Sequence, residues 1–246
     1  MQIIDTHVHL DELKDLGGAL QRAQAAGVKA IIAVGMDFLS NKKILELSAQ
    51  YPNFVYPALG FHPWRISAGQ IEENLDLIKK EVEGCVALGE IGLDFALETP
   101  QDYQVKVLEE ILSVALKQKK PILLHARRAW GRTFELIKEW KIEKAVFHWY
   151  SGPLDILSKI IAGGYYISAT PALAYSERHR QAIRAAPLER ILLETDAPET
   201  YQGMASEPKD VQRTLAEVSA VKRLPTEEVA QQTFRNAQEF FQVVFS

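Results

Sequence analysis

QIIDTHVHL (residues 2–10) is a short, β-branched-rich apolar run that carries an acid, Asp5, and then two histidines, His7 and His9. Runs of the same kind recur at 29–35, 54–60, 85–92, 121–126, 144–150, 164–169 and 190–196, which makes eight. Their apolar residues are nearly continuous rather than strictly alternating, the pattern of parallel strands buried on both faces. The intervening stretches 16–27, 40–51 and 101–118 show helical periodicity, and Gly27 and Pro153 stand where a helix stop and a helix start are expected. Eight strand-then-helix units predict the α/β class and a (β/α)8 TIM barrel rather than an open doubly wound sheet.

The chain is read as a single domain over residues 1–246, with no linker or low-complexity break. Its length suffices for a large core. The closing stretch 224–245 is read as a terminal helix with Thr226 as its N-cap, and Phe234, Phe240, Phe241 and Phe245 as core packing. The lone cysteine, Cys85, excludes an intrachain disulfide, fits a reducing compartment and lies in an apolar run as a small hydrophobe. No leader pattern and no bilayer-length apolar run is visible, so a cytoplasmic protein is expected, without membrane attachment or an obligate protein partner. A net charge of −4 argues against charge-driven coating of nucleic acid, while leaving room for a local basic patch.

In a strand, residues two apart share a face, so His7 and His9 can converge on one point. A barrel places its chemistry at the C-terminal ends of the strands. Five of the six histidines fall there: His7, His9, His62, His125 and His148. His179 sits in the charged stretch YSERHRQAIR and is expected on a solvated surface. Glu90, with Asp94 four residues on, and Asp196 join the histidines at the same rim. The set His7, His9, Glu90, His125, His148 and Asp196 points to metal. Six ligands exceed the three usual at one open catalytic zinc, so two divalent ions are expected, zinc, manganese or magnesium, with Glu90 as the bridging carboxylate.

The stretches DTHVHLD, GFHPW, GEIGLDF, ILLHARRA, FHWYSG and LLETDAP, in this order, resemble the TatD family of metal-dependent deoxyribonucleases, within the metallo-dependent hydrolase barrels. The resemblance runs from residue 5 to about 210. It implies one ion on His7, His9, Glu90 and Asp196 and a second on Glu90, His125 and His148. It also implies His62 and Arg127 at a substrate phosphate. Two departures bear on substrate choice. Trp64 stands where the family continues with histidine, and SEP (206–208) stands where it favours Asn-Glu-Pro.

The expected activity is therefore a phosphodiesterase or deoxyribonuclease acting on DNA or another phosphodiester. Asp196 would orient the attacking water and take its proton, with Glu90 as the other catalytic carboxylate. Trp64 would either stack on a base or lie as a lid over the rim. Arg128 and Arg132 are weaker phosphate candidates, and Asp5 and Asp94 would either orient ligands or satisfy backbone donors. The alternative is a hydrolase of an ester, lactone or amide bond on the same centre, since a fold and a metal site do not fix the bond cleaved. A non-catalytic scaffold would be expected had the ligand set decayed, and it has not.

Overall fold

Each apolar run supplies a strand. The computed structural model describes residues 1–245, and among these the strands β1 (Ile3–Val8), β2 (Val28–Val34), β3 (Val55–Phe61), β4 (Ala87–Asp94), β5 (Ile122–Arg127), β6 (Ala145–Phe147), β7 (Tyr166–Ala169) and β8 (Ile191–Leu193) form one sheet. They lie side by side in sequence order, and every neighbouring pair is parallel. The seam between β8 and β1 is closed at its upper end, where the Asp196 amide donates to the His7 carbonyl at 3.0 Å and the His9 amide to the Ala197 carbonyl at 2.8 Å. The result is the TIM barrel expected from the repeat.

The helices α1 (Leu16–Ala25), α2 (Phe38–Gln50), α3 (Ile71–Glu81), α4 (Gln101–Gln118), α5 (Trp130–Glu139), α6 (Leu154–Ala162), α7 (Glu177–Ala185), α8 (Val211–Lys222) and α9 (Thr226–Phe241) alternate with and follow these strands. Local chemistry sets their ends. The Asp15 carboxylate accepts from the Gly18 amide to cap α1, and Asp37 and Ser40 cap α2 reciprocally. Helix α9 begins at Thr226, but its N-cap is Pro225 and no side chain caps it, so the expected Thr226 cap is displaced by one residue. Pro225 cannot donate an amide, and its fixed φ suits the helix entry. Phe240, Phe241 and Phe245 are buried against Ile4, Ile32, Leu123 and Leu192, so α9 covers the barrel end remote from the histidines. Full burial of each such ring contributes about 1.5–3 kcal/mol. Cys85 is free and buried in the main core, as expected.

The register of β4 positions the site. Leu88 and Ile91 pair with Ile122 and Leu124 on β5, and Leu59 and Phe61 on β3 face Leu88 and Ile91. Strand β4 thus carries one residue more than either neighbour across this interval, a bulge containing Gly89 and Glu90 that re-aims the Glu90 side chain. Two residues on, Gly92 has φ +148°, and a Cβ there would stand 1.9 Å from the His125 carbonyl oxygen. Only glycine allows β4 and β5 to approach this closely beside Glu90 and His125.

His179 is not at the surface. It is fully buried on the face of α7 that also carries Ala182 and Ile183, while Arg178 is exposed and Arg184 points outward. Helical spacing explains this, because residues 179, 182 and 183 share one stripe that the surrounding charges obscure in the sequence. The His179 Nδ1–H donates to the Tyr150 carbonyl at 2.7 Å, and Nε2 accepts from the Thr170 amide at 3.1 Å. Burial pushes its pKa down to about 4, from an ordinary value of 6.5. The folded protein therefore resists protonation while the unfolded chain accepts it, and stability falls as pH drops from 6.5 towards 4. The loss attributable to this side chain is about 3 kcal/mol at the acid end. Urea unfolding of wild type and His179→Gln at pH 7.5 and pH 4.5 checks this: the variant is expected to lose about that much less than wild type between the two. Equal losses would contradict the assignment.

Candidate metal centre

Five imidazoles surround one carboxylate. Glu90 is buried, and its Oε2 lies 3.2 Å from His7 Nε2 and 3.5 Å from His9 Nε2. Its Oε1 lies 3.0 Å from His125 Nδ1, 3.0 Å from His148 Nε2 and 3.2 Å from His62 Nε2. The two oxygens thus face two different histidine groups. Asp196 joins the first, with Oδ1 at 3.3 Å from His9 Nε2 and 3.5 Å from His7 Nε2. All these side chains rise from the C-terminal ends of the strands: His7 from β1, Glu90 from the β4 bulge, His125 from β5, and His9, His62, His148 and Asp196 from the residues just beyond β1, β3, β6 and β8.

Two buried acids hold two of these histidines in place. Asp94, at the end of β4, accepts from His125 Nε2 at 3.2 Å, so His125 turns Nδ1 towards Glu90. Glu194 lies 3.3 Å from His148 Nδ1 and leaves Nε2 for the centre. The Trp149 amide donates to the same Glu194 oxygen at 3.0 Å. Such carboxylate–histidine pairs fix the tautomer and orientation of an imidazole that binds metal. Glu194 was not singled out in the sequence. A signal was present, since residues 194 and 196 share the two-residue spacing of His7 and His9. Asp5 makes no hydrogen bond to a histidine ring among the described residues: it accepts from the Thr195 amide at 2.9 Å and the Thr195 hydroxyl at 2.6 Å, fixing the segment that carries Asp196. Asp196 itself adopts φ +55°, an unfavourable conformation for a non-glycine residue, of the kind that collects at functional sites.

The residues fit divalent cations. One ligand atom from each of His7, His9 and Asp196 lies within 4.8 Å of the others, and the same holds for His62, Glu90 and His125, and for His7, His148 and Glu194. All of them offer nitrogen or oxygen, which suits zinc or manganese and accommodates magnesium less readily. The electrostatics agree. Burial alone would raise the pKa of Glu90, yet His62, His148 and His7 hold it well below the usual carboxylate range. Burial would lower His9, yet the Asp196 hydrogen bond and the charges of Asp196 and Glu90 raise it to about 9. His148 is likewise raised against its burial, by Glu90 and Glu194. The buried acids draw positive charge into the centre. His62 differs, because burial lowers it to about 4.

The centre opens into a cleft of about 630 Å³ whose lining includes His62, Trp64, Arg127, Trp149, Tyr175 and Asp196. His62 is 1% exposed, accepts from the Trp64 amide at its Nδ1 and turns Nε2 to Glu90. It lies at the floor of the cleft, within the ring of groups around Glu90. Arg127 reaches in from β5 with Nε bound to both Asp94 oxygens, at 2.9 and 3.0 Å. Among the described residues its terminal nitrogens take no protein partner. Arg132 pairs with Glu139 and Glu135 on its own helix, and Arg128 is exposed and does not line the cleft. Beyond β8 the SEP segment is structural: the Ser206 hydroxyl donates to the Glu199 carbonyl, and Glu207 pairs with Arg22 of α1 at 2.7 Å.

A parallel barrel whose C-terminal rim gathers imidazoles and carboxylates around a buried glutamate has the architecture of a metal-dependent hydrolase. The comparisons agree. The model of the TatD related DNase family matches residues 4–242, and the chain belongs to that family. It is 32% identical to the metal-dependent hydrolase YjjV of Escherichia coli K12, over 98% of each chain. It is 29% identical to the human deoxyribonuclease TATDN3, over 97% of this chain and 88% of that one. The crystal structure of E. coli YjjV superposes with a TM-score of 0.89 at 31% identity, covering 98% of both chains. No helix among the described residues is long and apolar enough to cross a membrane.

Proposed function

We propose that this protein hydrolyses phosphodiester bonds of DNA at a centre of two divalent metal ions, zinc, manganese or magnesium. The observation that carries the reading is the division of Glu90, with Oε2 towards His7 and His9 and Oε1 towards His125 and His148. On this reading His7, His9, Asp196 and Glu90 hold one ion and Glu90, His125 and His148 the other. Bound divalent ions at such a site supply Lewis acidity and lower the pKa of water.

The chain's own groups do the rest. Asp196, whose carboxylate is kept ionised against its burial by the His9 hydrogen bond and neighbouring imidazoles, accepts the proton of the attacking water. Arg127, fixed at Nε by Asp94, presents its free terminal nitrogens to the non-bridging phosphate oxygens and stabilises the charge that grows on them. His62 shapes the cleft floor beneath the phosphate, its Nδ1 taken up by the Trp64 amide and its Nε2–H directed at Glu90. Glu194 and Asp94 act by holding His148 and His125 in the orientation that serves the ions. The residues 1–246 act as one barrel domain, and the free, buried Cys85 suits the reducing cytoplasm.

The test is cleavage of an end-labelled single-stranded DNA oligonucleotide by protein stripped of metal and reloaded with Mn²⁺, Mg²⁺ or Zn²⁺. A product ladder that appears only with metal is expected. An intact oligonucleotide under all three ions would overturn the substrate assignment.

A further inference from the structure

Trp64 stands at the rim beside the buried centre. The indole is 53% exposed, although it stands beside the buried centre and lines the cleft. It is nevertheless held in place: Nε1–H donates to Asp94 Oδ2 at 2.7 Å, and the ring packs edge-to-face on His62 at 4.8 Å and against His125 at 5.8 Å. The Arg127 guanidinium carbon lies 5.7 Å from the ring centroid. The same Asp94 carboxylate therefore anchors the open aromatic surface and the Arg127 side chain beside it. The anchor holds the ring in this exposed position on the cleft wall.

We infer that Trp64 is a specificity-determining residue: its indole is the stacking platform for the nucleobase of the nucleotide whose phosphate Arg127 binds. The inference rests on the phosphodiesterase reading and adds the base as a recognised element. Every base offers a π-face, so a stacking platform favours base-bearing phosphodiesters over others without selecting a sequence. Hydrogen-bonded Asp94 spares the indole the loss of freedom that a loosely held ring would suffer on stacking.

The experiment uses Trp64→Leu and Trp64→Phe beside wild type. Binding of thymidine 5′-monophosphate and of 2-deoxyribose 5-phosphate, which lacks the base, is measured by calorimetry, and kinetics are measured on the dinucleotide thymidylyl-thymidine. Wild type is expected to prefer the base-bearing ligand, and Trp64→Leu to abolish that preference. For the dinucleotide, Trp64→Leu is expected to raise KM by about 5- to 100-fold, with a smaller effect on kcat, as one stacking contact implies. Trp64→Phe keeps a ring but not the N–H, and should recover most of the affinity. The inference is overturned if wild type binds both ligands equally, or if Phe is as damaging as Leu, which would mean that Trp64 acts only as a prop for Asp94. Failure of wild type to cleave any phosphodiester would instead count against the phosphodiesterase reading, and the ligand preference would still decide the role of Trp64.

Discussion

Glu90→Gln is expected to lower metal-dependent cleavage by about 1,000-fold or more while leaving the barrel folded. Five histidine nitrogens face the two oxygens of this side chain within 3.5 Å, so it stands between both groups. Glutamine keeps the volume but removes the charge that would draw two cations together. Lewis-acid stabilisation at such a centre is worth several kcal/mol, and each 1.36 kcal/mol is about tenfold in rate. Metal content should fall with the activity. Single-turnover cleavage of the labelled oligonucleotide, read beside elemental analysis and far-ultraviolet circular dichroism, separates loss of the centre from loss of the fold. A variant that retains full activity would remove Glu90 from the mechanism.

Asp196→Asn is expected to be nearly as damaging, through a different step. Asp196 is 8% exposed and lines the cleft, and it is the acid of the His7–His9 group. Asparagine cannot accept the proton of the attacking water, and loss of a general base costs about 10²- to 10⁴-fold. The second group, His125, His148 and Glu90 Oε1, is untouched by this change, so the variant should still take up metal there. Retained metal with a collapsed kcat is the expected signature. Parallel loss of all metal would mean that Asp196 serves only as a ligand, and unchanged kcat would remove it from catalysis.

Much of this centre is visible in the sequence, because strand geometry makes it so. His7 and His9 announce a shared face by their spacing, and a barrel sends every strand end to one rim. What remained hidden depends on contacts between distant segments. Glu194 occupies the same face as Asp196, yet its task becomes apparent only when β6 brings His148 Nδ1 to 3.3 Å from it. Asp94 could be placed near the rim but not assigned, since its partners Trp64, His125 and Arg127 come from two other strands. His62 was expected at a phosphate, and the structure adds that it lies at the floor against Glu90. The sequence points His179 to the surface because charged neighbours dominate its stretch, whereas the buried stripe of α7 is narrow, with only Ala182 and Ile183 beside it. The bulge in β4 is invisible to hydrophobic patterning, which registers apolar residues but not which strand carries one residue more.

Trp64 joins the buried centre to the open rim. Its N–H meets the acid at 2.7 Å, and its exposed ring changes what the cleft presents to a substrate. The buried histidine–carboxylate cluster and the exposed rim are thus distinct parts of the same cleft.

The most direct test of the account is anomalous diffraction from crystals of the manganese- or zinc-loaded protein. Two peaks are predicted, one among His7, His9 and Asp196 and one between His125 and His148, with a Glu90 oxygen on each. A single peak, or two peaks that Glu90 does not join, would contradict the binuclear centre on which the proposed reaction depends.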